Sequence, residues 1–431
     1  MKKTILIIIS LIFFIPKVFA VTLTEALTQA YKNNPELNAE RENIKISEED
    51  LNISKGEYLP TLTLSGSKSK EDTNKLTNQS GGDATITDVD PQSTSITIEQ
   101  TLIDFGRGAE HEKNKIGINL AKAKLLKKEQ EILYKAIETY TGLILANEKF
   151  EINKVNINLL ERQVETDTIR LERGQVTISD VAQSESSLAE AQAKFIQAQN
   201  DVLTSKLNYE NIIGPLSNTN LLEKNSTINF VIPQNLNSAI ELSKKYNPDL
   251  NIALLEYEQS EKDTKIAKSD LSPTAKLSFE RSYSNDLSST YDEREKDILK
   301  ATVSWPFYSG GKNRAQYKKN INLQNRKRLL LDNTTKSNET IVASAWSNFE
   351  TSKSLLNSVE LQVRAAEIAN EGITAEYESG VGRTTLEVIQ SNSFLLNAQI
   401  SLANSERNYL LSQFNLLKSI GLLNSDYLKI K

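Results

Sequence analysis

Two stretches of this chain contain no proline: the 123 residues 92–214, between Pro91 and Pro215, and the 125 residues 307–431 that follow Pro306. Proline lacks an amide hydrogen and its ring clashes with the preceding turn, so its absence over such lengths predicts two very long helical stretches. A continuous helix is expected from Gly106 to about Arg173 and another from Gly311 to about Ser379. Each would be on the order of 100 Å long at 1.5 Å per residue. Gly174 and Gly380 end these runs, because glycine reaches the left-handed conformation that turns a chain off a helix. A shorter helix then returns to Gly214 or Gly421.

The returning helices carry the cleanest periodicity. Val181, Ser184, Leu188, Ala191, Phe195 and Ala198 alternate steps of three and four residues, and Val388, Ser391, Leu395, Ala398, Leu402 and Ser405 do so 207 residues later. A sustained repeat of 3.5 residues predicts coiled-coil packing.

That offset is one sign of an internal duplication. Asn34-Pro35-Glu36-Leu37 returns as Asn247-Pro248-Asp249-Leu250, and Pro60-Thr61 as Pro273-Thr274, both 213 residues on. Asp104-Phe105-Gly106-Arg107 aligns with Ser309-Gly310-Gly311-Lys312, and Asp180-Val181 with Glu387-Val388. The chain therefore divides into a first repeat (21–214), a linker rich in Asn, Ser and Pro (215–235), a second repeat (236–421) and a short tail (422–431). Each repeat opens with amphipathic helices, continues through a β-hairpin (about 58–103 and 273–307), and ends in a long helical hairpin (106–213 and 311–420). Gly106, Gly310 and Gly311 mark the strand-to-helix joints. The strands alternate: Leu62, Leu64, Ile96 and Ile98 share one face, and Thr61, Thr63, Thr97 and Glu99 the other. In the second repeat the strands are expected at Pro273–Tyr283 and Leu299–Phe307, with Ser284–Asp297 as a polar loop.

Residues 1–20 read as an export signal: Lys2 and Lys3, an apolar core over Thr4–Ile15, and a small-residue cleavage site at Val18-Phe19-Ala20. Removing it takes away three lysines and no acid, moving the formal net charge from −5 to −8. A mildly acidic exported chain is a poor nucleic-acid binder. Cysteine is absent and His111 is the single histidine, which removes disulfide scaffolds, thiol nucleophiles and most transition-metal sites. No nucleophile, base and orienting group converge in the sequence, so neither an active site nor a cofactor is expected, and the chain is read as no enzyme.

An exported four-stranded sheet with one apolar face has two open edges, which a bilayer does not tolerate. A membrane barrel needs at least eight strands. Two chains would supply eight strands and three would supply twelve, and only the larger ring leaves an open lumen. A conduit therefore points to three chains.

These motifs, in their order and duplication over about residues 21–421, resemble the TolC-type outer-membrane efflux proteins, the outer membrane factor family. Leu23-Thr24-Glu25-Ala26-Leu27, Asn33-Asn34-Pro35-Glu36-Leu37, Tyr58-Leu59-Pro60-Thr61-Leu62 and the two strand-to-helix joints carry the match. The resemblance implies a mainly α fold with membrane β: a homotrimer whose twelve-stranded β-barrel, four strands per chain, continues into a periplasmic α-helical coiled-coil barrel. It implies an outer-membrane exit duct for an efflux pump or a type I secretion system. The partners would be a periplasmic adaptor, an inner-membrane pump (proton-driven or ABC type) and outer-membrane lipid. Val21 in place of a lipidated cysteine sets the chain outside the family's lipoprotein branch.

By the same resemblance, inward carboxylates narrow the tunnel at its periplasmic tip. The matching positions are Asp180, Glu387 and Gln390, with Arg383 as an ionic partner; Gln390 stands where an acid is usual. A three-fold ring of Glu387 would favour cations, and crowding would raise its pKa. Acids at a helix start also simply complement the helix dipole, so that reading stays open. Gly174, Gly380 and Gly382 lie in the hairpin turns where an adaptor would dock. Trp305, at a strand end, reads equally as a membrane-interface anchor or as packing. The competing reading of the whole chain is a periplasmic coiled-coil scaffold or adaptor without a barrel.

Overall fold

A computed structural model of the chain describes residues 21–72, 74, 75, 77, 80–83, 89–216, 222–224, 230–288, 291–380 and 382–430. The expected signal segment lies outside these, as do Val381 and parts of the hairpin 58–103 and of the linker 215–235. Among the described residues the elements are α1 (Leu23–Asn33), α2 (Pro35–Gly56), β1 (Thr61–Lys68), β2 (Gln92–Ile103), α3 (Arg107–Glu172) and α4 (Ile178–Ile212). The second repeat follows with α5 (Leu236–Tyr246), α6 (Pro248–Ser269), β3 (Thr274–Ser288), β4 (Tyr291–Ser304), α7 (Lys312–Glu378) and α8 (Thr385–Ile420). The two proline-free stretches thus hold helices of 66 and 67 residues, α3 and α7. No described helix is long and apolar enough to cross a membrane.

The chain forms two compact units. One takes Ala39–Lys127 and Pro248–Asn338 and contains all four strands. They form one antiparallel sheet in the order β1-β2-β3-β4, so β1 and β4 are open edges and the two repeats meet at β2–β3. Lys276 crosses that seam to Glu99 at 2.8 Å. The apolar face is bare: Leu62, Leu64, Leu299 and Val303 are each more than 70% exposed.

The second hairpin departs from expectation. Strand β3 runs on to Ser288 and β4 starts at Tyr291, so most of the stretch 284–297 is ladder rather than loop. Its charges look like a loop, but ladder bonds are made by backbone, and alternating charges pair across the strands. Arg281 lies 3.8 Å from Asp297, and Tyr283 opposes Glu295. Asp286, at φ 51°, lies at the register shift between Asn285 and Ser288, and its carboxylate accepts the Asp90 amide at 2.7 Å.

The other unit takes residues up to Asn38, Lys128–Asn247 and Glu339–Lys431. Its core joins Leu23, Leu27 and Ala30 of α1 with Leu133 and Ile137 of α3, Phe349 of α7 and Leu416 and Ile420 of α8. The heptad seams are buried at Val181, Ser184, Ala191 and Ala198 on α4, and at Val388, Ala398, Ser405 and Ser412 on α8. Small side chains there let the helices approach closely.

The repeated Asn-Pro acquires a physical reason here. The Asn34 carboxamide oxygen accepts the amides of Glu36 (3.0 Å) and Leu37 (3.2 Å), capping α2, whose first residue is Pro35. Proline suits that position because its missing amide would have no helical partner. The Asn34 amide nitrogen donates to the Ile212 carbonyl at the end of α4 (3.3 Å). Asn247 does the same to Ser419 near the end of α8 (2.8 Å). Each Asn thus ties the start of its repeat to the end. Gly421 ends α8 at φ 86°, where a β-carbon would run into the Tyr246 carbonyl.

Candidate functional site at the helical hairpin turns

The two turns that reverse the long helices are built alike. Gly174 (φ 68°) follows α3, and Gly380 (φ 79°) and Gly382 (φ 69°) follow α7. Next comes a threonine N-cap with an acid three residues on: Thr177 with Asp180, and Thr384 with Glu387. Each threonine hydroxyl accepts the acid's amide, and each carboxylate accepts the threonine's own amide at 2.8 Å. These are reciprocal capping boxes that satisfy otherwise orphaned amides. A sequence signature of this kind, Thr-x-x-Asp/Glu before an apolar run, is readable without a structure.

The bonds set the electrostatics. The Thr177 amide and hydroxyl hold the Asp180 carboxyl below its ordinary range. The Thr384 amide and then Arg383 do the same for Glu387. Crowding at a symmetry axis pushes a carboxyl the other way; within one chain the cap prevails. Arg383 bridges Glu376 (2.6 Å) and Glu387 (3.0 Å), and these two acids raise its pKa. Both partners of Arg383 belong to its own hairpin. Gln390 is exposed one turn further along α8.

The contact between hairpins is made by a residue that the sequence reading did not single out. Asp167 on α3 is fully buried. It accepts the Tyr377 hydroxyl of α7 at 2.5 Å, the Ser184 hydroxyl of α4, and the Gln163 amide at 3.0 Å to each oxygen. The Thr385 hydroxyl at the start of α8 lies 3.4 Å from the same carboxylate and 3.0 Å from Tyr377 Oη. Arg170 stacks its guanidinium 4.2 Å over the Tyr377 ring and donates to the Tyr377 carbonyl at 3.2 Å. Burial, followed by the bond to Asp167, pushes the Tyr377 hydroxyl pKa up. A buried carboxylate is costly unless its lone pairs are used; here four side chains from four helices use them. No local pattern announces this node, because Asp167 and Tyr377 are 210 residues apart.

The strand-to-helix joints have their own geometry. Gly310 (φ 62°) and Gly311 (φ 82°) are left-handed, whereas Gly106 sits against Ser269, where a β-carbon has no room. The Trp305 indole donates to the Leu271 carbonyl at 3.1 Å, with the residue still 60% exposed.

A duplicated chain with this sheet and these paired hairpins has known counterparts. Residues 26–215 and 239–422 each match the outer membrane efflux protein family. The chain is 26% identical to the outer membrane efflux protein BepC of Brucella suis, covering 95% of this chain and 87% of BepC. It is 22% identical to the alkaline protease secretion protein AprF of Pseudomonas aeruginosa, covering 96% and 87%. The CmeC outer membrane channel of Campylobacter jejuni superposes with a TM-score of 0.77 over 93% of this chain and 85% of CmeC, at 15% identity. With both repeats matched nearly end to end, the chain belongs to the outer membrane efflux protein family.

Proposed function

We propose that three copies of this outer-membrane exit duct close their sheets into a twelve-stranded barrel, and that the hairpin turns around Gly174, Gly380 and Gly382 form its periplasmic gate. The observation that carries the closure is the sheet itself. A single chain leaves β1 and β4 unpaired and the apolar face exposed, which a bilayer accepts only in a closed ring. The duct is passive: transport runs through it, and energy comes from an adaptor-linked inner-membrane pump that docks at the turns. Cargo is small molecules or secreted protein; relatives named for efflux and for protease secretion support both.

In this reading the carboxylates of Glu387 and Asp180 face the axis, with Arg383 and Gln390 beside them, and a ring of anions admits cations preferentially. The Asp167–Tyr377–Thr385 node holds the two hairpins of one chain together. Opening the gate then means separating them. Single-channel recording in planar bilayers tests this. Wild type should give small, cation-selective currents, and Glu387→Ala should weaken the selectivity. Unchanged selectivity would remove Glu387 from the axis, and a folded protein that never inserts would favour the periplasmic scaffold.

A further inference from the structure

The segment 312–331 holds seven cations and no acid, in a chain of net charge −5. Four of them, Lys312, Arg314, Lys318 and Lys319, lie on the first two turns of α7, directly after β4. All four are exposed, and among the described residues none has an ion-pair partner. Some cations of the same unit are neutralised: Lys113 by Asp263 (3.0 Å), Lys127 by Asp249 (2.7 Å) and, further along α7, Lys327 by Glu256 (2.6 Å). The corresponding joint of the first repeat differs as well. Arg107 is buried there, donating to the Thr101 carbonyl at 2.9 Å beneath the Tyr58 ring.

Between β4 and these cations come three exposed aromatics. Phe307 and Tyr308 are 86% and 84% exposed, and Trp305 stands edge-on to Phe307 at 5.9 Å. Exposed aromatics at the end of a membrane strand seat at the bilayer–water boundary. Basic residues just beyond such a boundary meet lipid phosphates. The spacing fits: Lys312 to Lys319 is about 10 Å along the helix, comparable to a headgroup layer of about 5–8 Å plus a screening length of about 8 Å. At roughly 100° per residue, Lys312 and Lys319 share one side of α7, and Arg314 and Lys318 the opposite one. A second copy covering either side leaves a pair free.

We propose that Lys312, Arg314, Lys318 and Lys319, with the Trp305–Phe307–Tyr308 cluster, form a docking site for anionic phospholipid headgroups of the membrane's periplasmic leaflet. This rests on the outer-membrane reading of the sheet. The site fixes the depth of the duct in the bilayer by a charge contact that the first repeat does not make.

The test uses the full-length protein in detergent, with phosphatidylglycerol or phosphatidylcholine added, reading lipid retention by native mass spectrometry and thermal stability. Phosphatidylglycerol should be retained and stabilise wild type, and phosphatidylcholine should not. Each cation changed to Gln should weaken retention about fivefold; the variant K312Q/R314Q/K318Q/K319Q should lose the effect. R326Q/R328Q, about 10–14 Å beyond Lys319 along the helix, should keep it. Should the quadruple variant misfold, K312Q/K319Q and R314Q/K318Q should each lose part of the retention. An undiminished phosphatidylglycerol effect in the variants, or an equal effect of phosphatidylcholine, overturns the proposal. So does altered ion selectivity in bilayers with retention intact, which would assign the cations to the lumen. Failure of wild type to insert into any bilayer would instead refute the outer-membrane reading.

Discussion

The turn of the first repeat and the turn of the second have the same scaffold and different contents. Thr177 and Asp180 are repeated by Thr384 and Glu387 at an offset of 207, and the capping geometry is repeated with them. At the same offset, however, Asp167 falls on Thr374, Arg170 on Tyr377 and Ile178 on Thr385. Those divergent positions are the ones that meet: the Asp of one repeat receives the Tyr and Thr hydroxyls of the other, and Arg170 stacks on Tyr377. Ile178, the counterpart of Thr385, is 75% exposed. Duplication supplied two hairpins of equal build, and divergence at a few positions made one fit the other.

The comparison breaks hardest at Asp167. Asp167→Ala leaves three buried hydroxyls without their shared acceptor and should cost about 3 kcal/mol or more, measured by thermal unfolding, while raising single-channel conductance. Thr374→Ala, its counterpart, should do neither. Next comes Gly421→Ala. A left-handed backbone costs an L-residue about 1–2 kcal/mol, and the Tyr246 carbonyl occupies the place of the new methyl. Gly214→Ala also strains a backbone at φ 132°, but its methyl would meet the Gln29 side chain rather than backbone; paired melting curves compare the two. Tyr377→Phe, which leaves the carboxylate one donor short, should cost about 1.5 kcal/mol.

The smallest effect sharpens the symmetry rather than breaking it. Thr177→Ala and Thr384→Ala should each cost about 1 kcal/mol as lost caps, and hydrogen exchange at the turns should report both. The pH dependence follows from the lowered pKa values of Asp180 and Glu387. A carboxyl held lower in the folded state stabilises above its unfolded pKa of about 4 and loses that contribution as pH falls through the folded value. The turns should therefore loosen only below about pH 4, and Glu387→Gln should remove its share of that transition.

Most of the architecture is written locally. Missing prolines give α3 and α7, glycines give their ends, and three–four spacing gives the seams, because each is a property of neighbouring residues. The extent of β3 and β4 is not, since charges such as Arg281 and Asp297 look like loop until the opposite strand is known. The carboxylates of Asp180 and Glu387 were legible as helix starts. The Asp167 node was not: a lone Asp on α3 carries no mark of a partner in the other repeat.

The Asn34 and Asn247 ties have a consequence for how the chain assembles. Asn34 waits for Ile212, 178 residues later, and Asn247 waits for Ser419, 172 residues later. A protein threaded into the envelope from its N-terminus delivers the start of each repeat long before its end. During that interval α1, and later α5, carries an apolar side with its partner not yet arrived. Contacts of such long sequence separation make folding slow, and chaperone demand in the periplasm should be set by the time needed to deliver one repeat.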